Sequence, residues 1–310
     1  MSLSGLDASL IKLQEIYWTR EKPKNLCRPY KNVLSANEKL TVLVKRQTCE
    51  SESHLYTVVA ILIKDILDDE LLNNVKSFYE KILPVVKYLP RGRTDKIVDC
   101  KCNYGETQGG SKTFGCSAHA VNKSKCKFAK RPANLNKGRK KFDVVGKHVS
   151  NDPNLESVTN LLADIASHQM LKLAPLSFSS MLAHAKKAPS CCIGQQFPSI
   201  FGGVTLVADY TAHSHRDVYD CSKGAVAIFS FTNDPKNEKQ FHCLPHYVFH
   251  PNNDPGIAID TGDNSLLLEV AVHEDHATTP LLQPNGKNPN RLALVFFRHE
   301  CLNAPDHGSN

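Results

Sequence analysis

The sequence predicts an α+β protein whose C-terminal half is a double-stranded β-helix, a jelly roll of short strands, joined to a Cys-rich N-terminal region. Three observations carry that expectation. Short apolar runs separated by turn residues recur from about residue 205 to 299, a pattern that suits a small barrel whose interior can hold a cofactor. Two stretches with apolar residues three and four apart, 155–173 and 178–186, precede them and read as helices. Among the strands stands a His-x-Asp segment, His215 to Asp217, with a further His276 downstream.

Taken in order, residues 6–17 place Leu10, Ile11, Leu13 and Ile16 at helical spacing, so a short amphipathic helix is expected there. The β-branched runs 39–45 and 56–63 read as strands, with Cys49 in the polar link between them. Residues 68–83 read as a helix, and Asp68, Asp69 and Glu70 suit the positive end of its dipole. Residues 90–131 have little apolar content and carry Cys100, Cys102, Cys116 and Cys126. A loop of that kind has no core, and thiolate ligation of a metal is a common substitute. The expected barrel strands are 205–211, 225–232, 240–250, 257–260, 265–272 and 291–299. The expected division is a Cys-rich region over 1–150 and the β-helix core over 151–310.

Val204, Leu206, Ala208 and Tyr210 alternate along a strand that is expected to deliver the His-x-Asp pair at its end. Residues i and i+2 of an extended chain share a side. Two His and one carboxylate on one face, with positions left open, is the ligand set of non-haem iron. A bare His-x-Asp arises easily by chance, so the distal residues matter. His276 supplies the second imidazole, and Arg291, opening the apolar run RLALVFF, supplies a guanidinium able to grip a distal carboxylate such as that of 2-oxoglutarate. His213 belongs to the same strand face as His215, and spacing alone leaves the choice between them open.

Composition sets the class. In 310 residues, a hydrophobic fraction of 41% is enough for a real core. No apolar run reaches the roughly 18 residues of a membrane span, and MSLSGLDASL lacks the basic and apolar regions of a signal peptide, so a soluble intracellular protein with no membrane partner is expected. Eleven cysteines, an odd number without a secretory signal, favour metal ligation over a disulfide framework. The net charge is +7, and the row 123–147 is dense in Lys and Arg with Asp143 as its one acid, a block that attracts phosphates.

The segments AHSHRD, FHCLPHY, EDHATTP and NPNRLALVFFRHECLNAPDHG closely resemble, in sequence and in order, the catalytic domain of the TET/JBP family of 5-methylcytosine dioxygenases. The resemblance extends back to about Ile16. It implies Fe(II) on His215, Asp217 and His276, and 2-oxoglutarate held by Arg291, His242 and a third arginine, Arg91 in preference to Arg93. It implies about two structural zinc ions, one on Cys49, Cys100, Cys102 and His213, the other on Cys116, Cys126, Cys191 and His307, stapling the two halves together. Cys27, Cys192, Cys221, Cys243 and Cys301 match no ligand and are expected to be buried or inert.

The implied substrate is 5-methylcytosine flipped out of DNA in the nucleus, by a monomer, with O2 as oxidant and 5-hydroxymethylcytosine, then the formyl and carboxyl forms, as products. Phe297 stands where the family stacks a Tyr on the base, His299 is retained, Asp220 replaces an Asn facing the exocyclic amine, and Thr205 and Ser117 match further pocket positions. Three departures stand out. The family's long low-complexity insertion is absent; Ala293 replaces a co-substrate Ser; and SAHAVNKSK, 117–125, lacks the Trp and Tyr residues that press on the duplex. Thymine in DNA, 5-methylcytosine in RNA, or a DNA-binding module with a decayed oxygenase are the alternatives, and the intact iron set with Arg291 counts against decay.

Overall fold

Alternation of side chains along the strands builds two separate cores, one on each face of a large sheet. The computed structural model describes residues 11–21, 32–35, 38–47, 55–87, 110–115, 153–187, 192–194, 198–210, 212–232, 240–279 and 291–300. Among them, nine strands, numbered along the chain, form the large sheet in the order β10 (Tyr247–Val248), β1 (Ile11–Trp18), β3 (Leu40–Gln47), β4 (Leu55–Lys64), β12 (Ser265–Glu269), β8 (Val226–Thr232), β14 (Arg291–Phe297), β6 (Gly203–Ala208) and β5 (Gly110–Gly115). A five-stranded sheet runs β2 (Val33–Ser35), β11 (Ile257–Asp260), β9 (His242–Leu244), β13 (His276–Thr278) and β7 (Ala212–His215). Strands from before residue 150 and after it thus share hydrogen bonds in both sheets, as in the β4 to β12 and β11 to β2 pairs.

On β14, Leu292, Leu294 and Phe296 point one way, while Arg291, Ala293, Val295 and Phe297 point the other. The first set joins Val204, Leu206, Phe229 and Phe231 under helices α1 (Asp69–Lys87), α2 (Pro153–Leu173) and α3 (Pro175–Ala185). Helix residues Val75, Leu162, Ala166, Met170, Phe178 and Met181 complete that core. Phe296 meets Phe229 edge-on at 5.9 Å and Phe201 at 5.6 Å, both in the range of favourable aromatic pairs. Burying each such ring contributes roughly 1.5–3 kcal/mol. The second set faces the small sheet, where Leu34, Leu244, Ile257 and Ile259 pack against Leu62, Ile228 and Leu267. One mouth of that inter-sheet space stays open as a cavity.

Most expected elements are present, with four corrections. The expected strand 240–250 is two short strands in different sheets, β9 in the five-stranded one and β10 in the nine-stranded one. Residues 11–18 are a strand, not a helix: β1 pairs in parallel with β3 and antiparallel with β10, and these ladder bonds override a helical spacing only a few residues long. The strand carrying Val204, Leu206 and Ala208 does not run on into His-x-Asp. It ends at Asp209, whose φ of 46° turns the chain, and the histidines sit on β7 in the other sheet. The span 90–131 is not all loop, since β5 pairs with β6 along its length. No helix among the described residues is long and apolar enough to cross a membrane.

Candidate active site

His276 and His215 are register partners across the β13 to β7 pair, so the ladder itself sets their rings side by side, with centroids 4.3 Å apart. Strand β7 stops at His215, and the backbone N–H of Asp217 donates to the Ala271 carbonyl at 3.1 Å, fixing the next carboxylate beside the rings. Asp217 Oδ2 lies 3.5 Å from His276 Nε2, and Oδ1 lies 3.7 Å from His215 Nε2. One ligand atom from each of the three lies within 4.8 Å of the others. His276 Nδ1 is 3.3 Å from the Glu274 carbonyl. If that nitrogen carries the proton, Nε2 presents a lone pair toward Asp217, as a metal-ligating imidazole must. The cluster therefore has the donors and the orientation for a divalent transition metal.

Its electrostatics are consistent with that. Burial opposes a charge on His276, but the carboxylates of Glu269 and Asp217 outweigh it and raise the ring to about 9. Burial pushes Asp217 upward, yet the hydrogen bond and charge of His276 and the charge of His215 hold it below the ordinary carboxylate range. Behind them, Oε2 of buried Glu269 lies 2.7 Å from His242 Nε2, and the His242 ring stacks on His276 at 5.8 Å. Burial raises Glu269 but the two imidazoles, His242 foremost, win and lower it.

Arg291 is buried at the start of β14. Its guanidinium donates to Ser230 Oγ at 3.1 Å, Thr261 Oγ1 at 3.3 Å and Gln240 Oε1 at 3.4 Å. Asp209, at the turn out of β6, accepts from the Arg291 backbone N–H at 2.9 Å and fixes the strand start. Along the same face, Ala293, Val295 and Phe297 follow at every second residue. Six residues of strand span about 20 Å. One wall thus runs from a fixed cation to an aromatic ring.

At the far end, Phe297 and His299 rings sit 4.6 Å apart, and His299 Nε2 lies 3.3 Å from Asp220 Oδ1. Burial and the charge of Asp217, against the opposing His276, push the Asp220 carboxyl up to about 8. Thr205 on β6 completes this end. A single cavity of about 260 Å³ takes in both ends, with His215, Asp217, His276 and His242 on one wall and Arg291, Phe297, His299, Asp220 and Thr205 on the other.

Of the residues singled out in the sequence, Arg91, Ser117, Cys49, Cys100, Cys102, Cys116, Cys126, Cys191 and His307 lie outside the described residues, as do the basic row 123–147 and the side chain of His213. Among the described residues, His215 is the histidine of β7 in the cluster. Cys192, Cys221 and Cys243 are buried. Sequence reading passed over Gln240, Ser230, Thr261 and Glu269. Glu269 had a signal, an acid closing the apolar run SLLLE; the others are ordinary polar residues whose partners are distant in the chain.

Residues 125–300 match the Tet_JBP family, described as the oxygenase domain of the 2OGFeDO superfamily. The chain is similar to Methylcytosine dioxygenase TET2 of Mus musculus, 28% identical over 271 residues, covering 81% of this chain and 14% of that protein. It is likewise 28% identical over 262 residues to Methylcytosine dioxygenase TET of Drosophila melanogaster, 79% of this chain and 9% of the relative. The chain therefore spans a small part of the length of these relatives. In shape it resembles NgTET1 in complex with 5mC DNA, with a TM-score of 0.51 at 11% identity over 90% of this chain and 87% of the other, a likeness of fold.

Proposed function

From the premise that the chain belongs to the Tet_JBP family of 2-oxoglutarate and Fe(II) oxygenase domains, we propose that it oxidises 5-methylcytosine in DNA to 5-hydroxymethylcytosine and onward to the formyl and carboxyl forms. The observation that carries the reading is the single cavity in which a His-Asp-His cluster on the small sheet faces a strand running from Arg291 to Phe297. A two-His, one-carboxylate set that leaves positions open fits Fe(II), and His276 is already oriented for it by Glu274. With iron bound there, 2-oxoglutarate and O2 give succinate and CO2, and the second oxygen atom enters the methyl C–H bond.

The chain's own residues hold and aim the reactants. Arg291, kept rigid by Ser230, Thr261 and Gln240, grips the distal carboxylate of 2-oxoglutarate. His242 and Arg91 are further contacts. Phe297 stacks on the flipped base, and His299, Asp220, Thr205 and Ser117 touch its edges, orienting the methyl group toward the cluster. The row 123–147 contacts phosphates. Two structural zinc ions, on Cys49, Cys100, Cys102 and His213 and on Cys116, Cys126, Cys191 and His307, join the Cys-rich region to the core, and the chain works as a nuclear monomer. Support for one folded unit comes from the strands that both regions share in each sheet.

One observation favours thymine in DNA as a second substrate. A carboxylate at Asp220 accepts from the cytosine N4 amine and repels the thymine O4. Its carboxyl is pushed up to about 8 in the metal-free chain, and in the neutral form Asp220 can also donate to that O4. Nucleoside mass spectrometry after incubation with Fe(II), 2-oxoglutarate and a duplex carrying both 5-methylcytosine and thymine tests both readings. Hydroxymethylated cytosine is the expected product, and succinate formation with neither base oxidised would refute the assignment.

A further inference from the structure

The backbone N–H of Asp220 donates to the Asp217 carbonyl at 2.8 Å, closing a four-residue turn. Its two corners, Asp217 and Asp220, line the cavity. Its two central residues do not line it: Val218 is 65% exposed and Tyr219 46% exposed, adjacent large apolar side chains. The Tyr219 carbonyl accepts from Glu300 N–H at 2.8 Å, so the tip is anchored rather than trailing. The Tyr219 ring lies 6.2 Å from His299, which lies 4.6 Å from Phe297. Three rings thus step from the buried end of the cavity to the surface. Arg216 and exposed Lys223 flank the turn, with Asp275 paired to Arg216 at 3.2 Å and Glu300 nearby as the opposing acids.

We propose that this turn is a duplex-contacting lip, Tyr219 stacking on the base pair beside the extruded nucleotide with Val218 against the adjoining sugar edge. The inference rests on the nucleic-acid substrate proposed above. Asp220, one corner of the turn, lies 3.3 Å from His299, whose ring is 4.6 Å from Phe297, so a base stacked on Phe297 has the turn beside it and its duplex neighbours near the tip. A π-face is what unstacked neighbours accept regardless of sequence.

The test is the affinity of the whole chain, by fluorescence anisotropy, for a 5-methylcytosine duplex and for the same strand unpaired, which has neither an extrusion cost nor a base-pair plane. Tyr219→Ala should weaken duplex binding roughly tenfold and single-strand binding by less, since a lone base offers the ring a smaller face than a base pair, while Tyr219→Phe keeps the wild-type values. Unchanged duplex affinity, an equal loss on both ligands, or a loss in the Phe variant matching that in the Ala variant would overturn the lip. Oxidised nucleosides measured in the same wild-type samples report separately on the substrate, because the binding comparison needs no turnover.

Discussion

The side-chain amide of Gln240 joins Arg291 to both segments that carry the His-Asp-His cluster: its oxygen accepts from the guanidinium at 3.4 Å, and its nitrogen donates to the Thr279 carbonyl at 2.8 Å and the Tyr210 carbonyl at 3.2 Å. Thr279 follows β13, which bears His276, and Tyr210 precedes β7, which bears His215. One buried amide thereby sets the spacing between the proposed co-substrate anchor and the proposed metal. Gln240→Ala removes all three contacts and should weaken 2-oxoglutarate roughly tenfold, the usual cost of leaving buried donors and acceptors without a partner. Titration with a non-decarboxylating 2-oxoglutarate analogue would read it. Gln240→Glu should be worse, since a carboxylate neutralises Arg291 and cannot donate to either carbonyl.

His215→Ala or Asp217→Ala should abolish turnover while leaving the fold intact. Both side chains are partly exposed, 29% and 37%, and neither belongs to an apolar core. Circular dichroism and thermal melting should therefore match the wild type while Fe(II) binding is lost. A variant with near wild-type turnover would remove that residue from the ligand set.

Metal uptake should depend on pH with a defined sign. His276 is raised to about 9 in the metal-free chain, so near pH 7 its ring is protonated and iron must displace that proton. Apparent Fe(II) affinity should rise about tenfold per pH unit below 9 and level off above it. Anaerobic calorimetry in buffers of different ionisation enthalpy would show about one proton released. Without metal the linkage runs the other way: the raised ring stabilises the fold fully below about pH 6.5, and that contribution fades as pH rises through about 9.

Legibility in the sequence followed the range of the interactions. β8, β11 and β14 could be read because each is a continuous apolar run whose identity does not depend on its partner. β1 could not, because its strand state is decided by β3 and β10, the latter more than 200 residues away in the chain. The switch at Asp209 was hidden for a similar reason: a left-handed residue between two apolar stretches leaves no periodic trace. Within the site, His215, Asp217, His276 and Arg291 stood out by residue type and spacing. Gln240 and Ser230 did not, since only the folded chain brings them to Arg291.

Zinc is a stability question for this chain. If Cys49, Cys100, Cys102 and His213 close a structural site, elemental analysis of iron-free protein should find about two zinc per chain, counting the second site. Cys102→Ser should then lower the melting temperature as well as activity. A preparation that melts cooperatively without zinc would refute the stapling role.

Asp220 permits a test of substrate choice that does not depend on absolute rates. Burial and the neighbouring charge of Asp217 raise it to about 8, so the carboxyl is neutral below that value and charged above it. In the neutral form it donates or accepts and tolerates either pyrimidine. As a carboxylate it only accepts, which suits the cytosine amine and repels thymine O4. The ratio of oxidised 5-methylcytosine to oxidised thymine in one duplex should therefore increase as pH rises through the midpoint. Competition within the same oligonucleotide cancels effects common to both, including those on metal and co-substrate. A cation at Asp217 offsets one of the two causes of the raised value and moves the midpoint below 8 without changing the sign. Asp220→Asn cannot ionise there, so its ratio should be flat. A ratio that still climbs in the Asn variant would place the discrimination on another group.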